Sequence, residues 1–336
     1  MAPIWRIAAV YSFAPVADPS ELVGRLRAFG YREGWRGTLI VAEEGLNGTV
    51  AGTPGAIDEF VAVLDRDGRF AEREIKFADA SEEPFRRFKV HRKREIVTMG
   101  VGELDVSGGR GRYVDPEDWN DVIANPEVQV VDTRNRFEVA IGTFDGATDP
   151  GTDDFSEFPE WAHRNLDPSR PVAMFCTGGV RCEKASTYLQ ANGFADVRHL
   201  HGGILRYLEE VTQEETKWSG SCFVFDERVG VGHGLRQTGH SVCRSCRMPL
   251  SAQDRTHEDY DDQVACPYCA PTLRPEDRAR RVERREQTRR ASARGETHVG
   301  ADLDAQRARK KREREAHRER SLTTRVPSGR RPASVD

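Results

Sequence analysis

The sequence has no run of about 18 consecutive apolar residues, so no transmembrane helix is expected. Met1 to Phe13 lacks the basic stretch, apolar run and small-residue cleavage site of a secretion signal, so a cytoplasmic location is expected. No flavin or nicotinamide Gly-rich fingerprint is apparent, nor a two-His-one-carboxylate pattern, and the sequence therefore names no electron donor. No internal repeat is visible. Of 7 cysteines, four form two close pairs. Without a signal for export, that usage reads as metal binding and thiol chemistry rather than disulfides.

The chain has 336 residues, 37% of them apolar and 32% charged, enough for more than one core plus polar appendages. A net charge of -4 hides an asymmetry: residues 274–336 carry 20 Lys and Arg against 11 Asp and Glu, and residues 1–273 carry 31 against 44. An acidic body with a basic tail suits a polyanionic partner, although a solvated mixed-charge tail is the plainer reading.

Along the chain, residues 5–13 read as a strand. Asp18 and Ser20 open a helix through Leu22, Leu26 and Phe29 that Gly30 should stop. Strands are expected over 38–42 and 48–51 around a turn at 43–47, a second helix from Pro54, and extended segments over 75–78 and 89–97. The order β-α-β-β-α-β is the ferredoxin-like pattern. After a Gly-rich break at 107–111, Asp115-Pro116 marks a helix start, and strands are expected over 128–132, 172–175 and 197–200. A helix should lie between Glu183 and Phe194, and Gly202-Gly203 lead into 204–211. Strands alternating with helices indicate a doubly wound parallel sheet whose active groups collect at the carboxyl strand ends, where Asp132 and Cys176 fall.

Cys176-Thr177-Gly178-Gly179-Val180-Arg181-Cys182 joins a buried strand to a helix. Two glycines let the backbone curl so that several N–H groups point at the thiol; the helix N-terminus and Arg181 add positive charge. All three favour a thiolate, making Cys176 the candidate nucleophile. A lone cysteine at a strand end is usually packing, but this context reverses the balance. Cys182 is a candidate resolving thiol or a packing residue.

These residues, with Val130-Val131-Asp132-Thr133-Arg134 and His201-Gly202-Gly203-Ile204, resemble a rhodanese domain. Four residues separate Cys176 from Arg181, one fewer than in related phosphatases, so a phosphate-sized cradle is disfavoured. The resemblance extends to residues 41–49, 88–90, 95–100, 142–144 and 222–229, and the whole of 5–270 resembles the bacterial tRNA uridine hydroxylases of the rhodanese superfamily. It implies oxygen-dependent conversion of the wobble uridine of tRNA to 5-hydroxyuridine, with O2 as co-substrate, tRNA as partner and Cys176 essential, directly or as a persulfide. Asp132, Arg134 and Arg181 complete the expected catalytic set, and Thr177, Gly178, Gly179, Val180 and Cys182 the anion-binding loop. The expected architecture is α/β and α+β: a ferredoxin-like (acylphosphatase-like) RNA-contacting domain over 1–106, a rhodanese catalytic domain over 107–218, a zinc-ribbon-like segment with four cysteine ligands over 219–273 and a charged tail, disordered or helical, over 274–336.

Cys243-x2-Cys246 and Cys266-x2-Cys269 are two knuckles 19 residues apart, spacing that lets four thiolates close a tetrahedron around a structural Zn2+. In Arg86–Arg94, basic side chains flank Phe88, and Lys89, Arg92, Lys93 and Arg94 are candidate phosphate contacts; a salt-bridged edge strand is the plainer alternative. No membrane or DNA partner is expected. Two rivals stand beside the hydroxylase: a sulfurtransferase passing sulfane sulfur through Cys176, and an RNA-binding scaffold with an inert rhodanese fold. Mechanistically, addition of the Cys176 thiolate at uridine C6 would make C5 enolate-like and reactive toward an oxygen electrophile, with Arg181 and the loop amides holding the developing charge.

Overall fold

The structure, a computed structural model, describes residues 4–102, 104–106 and 111–294. Most of the expected Gly-rich break (107–110) and the tail beyond 294 lie outside them.

The first strand, β1 (Trp5–Phe13), leads into helix α1 (Pro19–Glu33). The Asp18 carboxylate accepts from the Glu21 N–H at 3.0 Å and Pro19 occupies the first turn, a strong start signal. The expected stop at Gly30 is corrected: the helix runs to Glu33 and closes at Gly34, whose φ is 71°. Gly30 is there for close approach, because a Cβ would fall 2.1 Å from the Phe88 ring. Strands β2 (Arg36–Ala42) and β3 (Gly45–Gly52), helix α2 (Pro54–Asp67), and strands β4 (Glu74–Ala80) and β5 (Phe88–Arg92) follow. The turn between β2 and β3 is tighter than expected, and Asn47 lies in the strand. Likewise β5 ends at Arg92 instead of reaching 97; the Ile96 N–H goes to the Glu44 carboxylate at 2.6 Å.

These five strands are ordered β4-β1-β3-β2-β5, the ferredoxin-like sheet with β5 added parallel to β2 at the edge. Strand periodicity divides the side chains. Ala8, Val10, Leu39, Val41 and Val50 pack under α1 and α2 with Leu26, Ile57 and Phe60. Ile7, Ala9, Tyr11, Thr38, Ile40, Asn47 and Thr49 alternate with them and line a cavity on the opposite side. Acylphosphatase-like topology therefore presents an open sheet face.

The second region comprises β6 (Arg112–Val114), α3 (Pro116–Ala124), β7 (Gln129–Asp132), α4 (Arg136–Val139), β8 (Gly142–Phe144), α5 (Phe158–Asn165), β9 (Val172–Phe175), α6 (Val180–Ala191), β10 (Val197–Leu200) and α7 (Gly203–Glu210). Its sheet is parallel, ordered β6-β10-β9-β7, with Asp132 paired to Phe175 at the carboxyl edge. Alternate residues of β9 feed two cores: Ala173 and Phe175 pack with Trp119, Phe144 and Tyr207, and Val172 and Met174 with Phe158, Cys182 and Leu189. That is the doubly wound arrangement. Helix α6 starts at Val180 rather than Glu183 because Gly179, at φ 108°, turns the loop directly into it. The short strands β6 and β8 had no sequence signal; β8 pairs with Trp218–Gly220.

Short hairpins, Cys222–Phe223 with Gly230–Val231 and Ser241–Val242 with Pro249–Leu250, lead to α8 (Pro275–Ala293). Residues up to Arg285 cluster as one compact unit and those from Glu286 as another, whose described part is helical as far as Ala293. No described helix is long and apolar enough to cross a membrane.

Candidate active site

Cys176 leaves the end of β9 only 1% exposed, and its Sγ accepts from the Gly179 N–H at 3.2 Å. Burial alone would raise its pKa. The opposing interactions win: a hydrogen bond from the Cys182 thiol, the Arg181 charge and the amides of Cys182 and Gly179 bring it down to about 6. Cys182 moves the other way, because burial and the adjacent Cys176 thiolate keep its proton on; its Sγ lies 3.5 Å from the Thr133 hydroxyl. A third buried cysteine, Cys222, has no such cradle, and burial pushes it up to about 12. The loop thus acidifies Cys176 and neither Cys182 nor Cys222. Gly203 accommodates the same loop: at φ 68°, a Cβ there would sit 2.5 Å from the Cys176 carbonyl oxygen.

The Arg181 guanidinium is not a free cation over the loop. It donates two hydrogen bonds of 2.7 Å to the carboxylate of Glu138, which is fully buried. Desolvation works against both charges, but each holds the other ionised. The Glu138 carboxylate also accepts from the Asn135 N–H at 3.1 Å, and the Glu138 N–H donates to the Asn135 backbone carbonyl at 2.8 Å, so the first turn of α4 positions the anchor of Arg181. This partner had no expectation from sequence, although Asn135-Arg136-Phe137-Glu138 carries the capping spacing. The expected catalytic residues Asp132 and Arg134 lie elsewhere. Both are 0% exposed, paired at 2.6 and 2.8 Å, and neither lines the cavity. Arg134 also donates to the Gly142 carbonyl at 2.6 Å, and Asp132 accepts from Thr143 at 2.9 Å. Their geometry is that of a positioning pair tying β7 to β8.

The cavity facing Cys176 measures 920 Å3 and is closed by the open face of the ferredoxin-like sheet. Tyr11 of β1 reaches across, donating to Glu183 at 3.1 Å, and its hydroxyl is the atom nearest to where a Gly179 side chain would begin. Burial first, then the Glu183 carboxylate, keeps this phenol protonated. A second bridge is Lys184, which is wholly buried on α6 and bonds Glu44 at 2.9 Å, Glu95 at 2.5 Å and the Val97 carbonyl at 3.2 Å. Lys184→Met is expected to lower unfolding free energy by about 3 kcal/mol in a denaturant titration. The two carboxylates, with side chains 22% and 17% exposed, can partly rehydrate, which keeps the loss at the low end. No loss would mean that this clamp is energetically idle.

Of the expected RNA contacts, Lys93 lines the cavity, Lys89 is half-buried on β5, and Arg92 and Arg94 are exposed. Arg92 bonds Ser20 at 3.1 Å and faces Glu43 at 3.7 Å. The four knuckle cysteines come together away from this cavity, all ligand sulfurs within 4.8 Å of one another, a donor set that could hold a metal ion. They are all free of disulfides. Their apolar cluster is small, Cys243, Leu250 and Cys266 with Tyr260 and Cys269, too little to fix the segment by burial alone.

A family model for a UPF0176 acylphosphatase like domain matches residues 5–96, and one for a rhodanese-like domain matches 115–210. Proteins named tRNA uridine(34) hydroxylase from Brucella ovis and Brucella anthropi are each 49% identical to the chain over 300 residues, covering 88% of it and 98% of their own length. The chain belongs to the tRNA uridine(34) hydroxylase family. Among solved structures, a rhodanese-like domain protein from Staphylococcus aureus is 26% identical over 29% of this chain and 90% of its own, with a TM-score of 0.25. Alr3790 from Anabaena is 20% identical over 32% and 91%, with a TM-score of 0.28. In this member of the tRNA uridine(34) hydroxylase family, Cys176, Thr177, Gly178, Val180 and Arg181 all border the cavity, whereas Cys182 packs behind it.

Proposed function

We propose that this protein hydroxylates C5 of the wobble uridine of tRNA, with O2 as co-substrate and Cys176 as the reacting group, in the cytoplasm where tRNA is found. The observation that carries the reading is an acidified thiol on the floor of a cavity roofed by a sheet face of another domain. Such a chamber takes one extruded base out of water and brings it to the sulfur. The relatives' name speaks of hydroxylation and not of sulfur transfer, which favours the hydroxylase over the sulfurtransferase.

Uridine C5 is a weak nucleophile. Addition of the Cys176 thiolate at C6 places an electron pair on C5, which then attacks an oxygen electrophile formed from O2. Loss of the C5 proton and expulsion of the thiolate from C6 restore the ring. One oxygen atom enters the base and the other leaves as water, so two electrons must come from a reductant. The Gly179 and Cys182 amides hold the sulfur's charge on departure, and the Glu138-anchored Arg181 keeps the loop curled. In the alternative route Cys176 carries a persulfide, and the same cradle would hold it. Mass spectrometry of tRNA nucleosides from cells with and without the protein tests the function: 5-hydroxyuridine should disappear with the gene, and its persistence would overturn the reading.

We assign the phosphate contacts to Lys89 and Arg92 on β5 and to Lys93 and Arg94 just after it, of which Lys93 lines the cavity. Neutralising Arg92, Lys93 and Arg94 together is expected to flatten the slope of log affinity against log salt by about 2 in tRNA binding titrations. An unchanged slope would remove them from the interface.

The four clustered thiols fit a structural Zn2+, since four sulfur donors within 4.8 Å of one another would fill its coordination and leave no open position for chemistry. When bound, the metal would staple a segment that has little core. Cys266→Ser is expected to abolish zinc release to a colorimetric chelator and to lower the thermal midpoint, while the Cys176 thiol keeps its reactivity.

A further inference from the structure

The cavity that contains Cys176 is also lined by a strongly exposed aromatic. Phe225 is 63% exposed and lines the cavity. Exposed phenylalanines are usually on loose loops; this one sits on a turn fixed from every side. The Val224 N–H bonds the Val229 carbonyl at 2.9 Å, and the Val229 N–H bonds the Asp226 carbonyl at 3.1 Å. Arg228 and Asp226 form a two-bond ion pair at 2.9 and 2.7 Å. The Glu227 N–H bonds the Pro84 carbonyl at 3.0 Å, and its carboxylate faces Arg86 at 3.4 Å and Arg244 at 3.0 Å. Val229 is held at φ 62°, a left-handed conformation that a β-branched residue adopts only at a cost. Beneath it, Phe225 stands edge-to-face on Phe223, ring centres 5.1 Å apart, and Phe223 stands likewise on Phe137 at 5.2 Å. Phe137 lies next to Glu138, the anchor of Arg181. A strained, braced turn thus holds a solvent-exposed apolar ring on the lining of the cavity that also contains the reactive sulfur.

Resting on the tRNA reading above, we propose that Phe225 is a stacking platform for the nucleotide next to the target uridine. Bringing uridine C6 to a sulfur that is 1% exposed requires that base to leave the anticodon-loop stack, and its neighbour then loses a stacking partner. An exposed, preset aromatic ring on the cavity lining replaces the lost partner without choosing among bases, because every base has a π face. This makes the substrate a flexible single-stranded loop rather than a helix, and makes Phe225 a specificity-determining residue that touches RNA but not the reacting atoms. Lys93, on the same cavity lining, supplies positive charge for the backbone that must enter with the base.

The test uses the full chain and a synthetic anticodon stem-loop RNA with uridine at the wobble position. Phe225→Ala should weaken loop binding and kcat/KM roughly 5- to 150-fold, Phe225→Leu should lose most of that amount, and Phe225→Trp should keep wild-type values. Neither thermal midpoint nor the alkylation rate of Cys176 at neutral pH should move. A loop that is abasic at the stacking neighbour should bind wild type as weakly as the intact loop binds Phe225→Ala, and the two changes together should cost no more than either alone. Full additivity, or equal binding by Phe225→Ala and Phe225→Trp, would overturn the proposal while leaving the hydroxylase reading intact. If wild type neither binds nor modifies the loop, the function itself fails and the platform falls with it.

Discussion

Cys176→Ala is expected to abolish 5-hydroxyuridine, with no product above the level of cells lacking the gene. The effect should be complete because both routes through this site, addition of the thiolate to uridine and transit through a persulfide, need the same sulfur. Serine should fail equally: a hydroxyl in that cradle stays protonated at neutral pH, where the thiol, lowered to about 6, is mostly ionised. Loss of folding is not the reason to expect. Removing one buried sulfur atom from the loop leaves a small void, worth about 1 kcal/mol, and the Gly179 and Cys182 amides that faced it stay in place to hold the loop's curl. Nucleoside mass spectrometry on tRNA from complemented cells, with protein abundance measured in parallel, reads the outcome. Undiminished product from either variant would exclude sulfur chemistry at this position.

Glu138→Gln is expected to have the second largest effect, and one with a diagnostic pair of signs. The glutamine keeps the shape but removes the negative charge that two Arg181 hydrogen bonds rest on, in surroundings where Glu138 is fully buried and Arg181 nearly so. An uncompensated buried guanidinium costs about 3–5 kcal/mol of unfolding free energy, measurable by denaturant titration. It also leaves a stronger positive field beside Cys176, so the thiol should become more acidic still, and alkylation at pH 6 should quicken. Hydroxylation should nevertheless fall, on the order of 100-fold, because the loop loses the anchor that fixes its curl. A faster thiol with slower chemistry separates acidity from geometry. If stability, alkylation and product all stay at wild-type values, Glu138 has no such part in the site.

How much of this was legible beforehand divides along range in sequence. The strand–glycine loop–helix around Cys176, the Asp18-Pro19 helix start and the two cysteine knuckles are local patterns, and the structure places their residues together as their spacing suggests. The ferredoxin-like order of the first strands was legible too, but not that one face of their sheet lines the cavity. The partners were not legible. Arg181 meets Glu138 across 43 residues, Lys184 meets Glu44 and Glu95 across 140 and 89, and Tyr11 meets Glu183 across 172. Only the packed chain brings such pairs together, and nothing near Lys184 in sequence distinguishes it from a solvated helix lysine. Gly30 shows the same limit in a single residue, since its local meaning is a helix stop and its tertiary meaning is room for Phe88. Asp132 and Arg134 shared the carboxyl edge of the sheet with Cys176, and only the structure shows that they spend their hydrogen-bonding capacity on each other and on β8.

The acidity of one sulfur decides the matter. Trypsin cleaves after Arg181 and so separates Cys176 from Cys182, which allows the alkylation of each to be followed by mass spectrometry as pH is raised from 5 to 10. The rate at Cys176 should climb through an inflection near 6 and level off by neutrality, with Cys182 and Cys222 silent there. An inflection near the ordinary thiol value of 9.0, shared by Cys176 and its neighbours, would contradict the account.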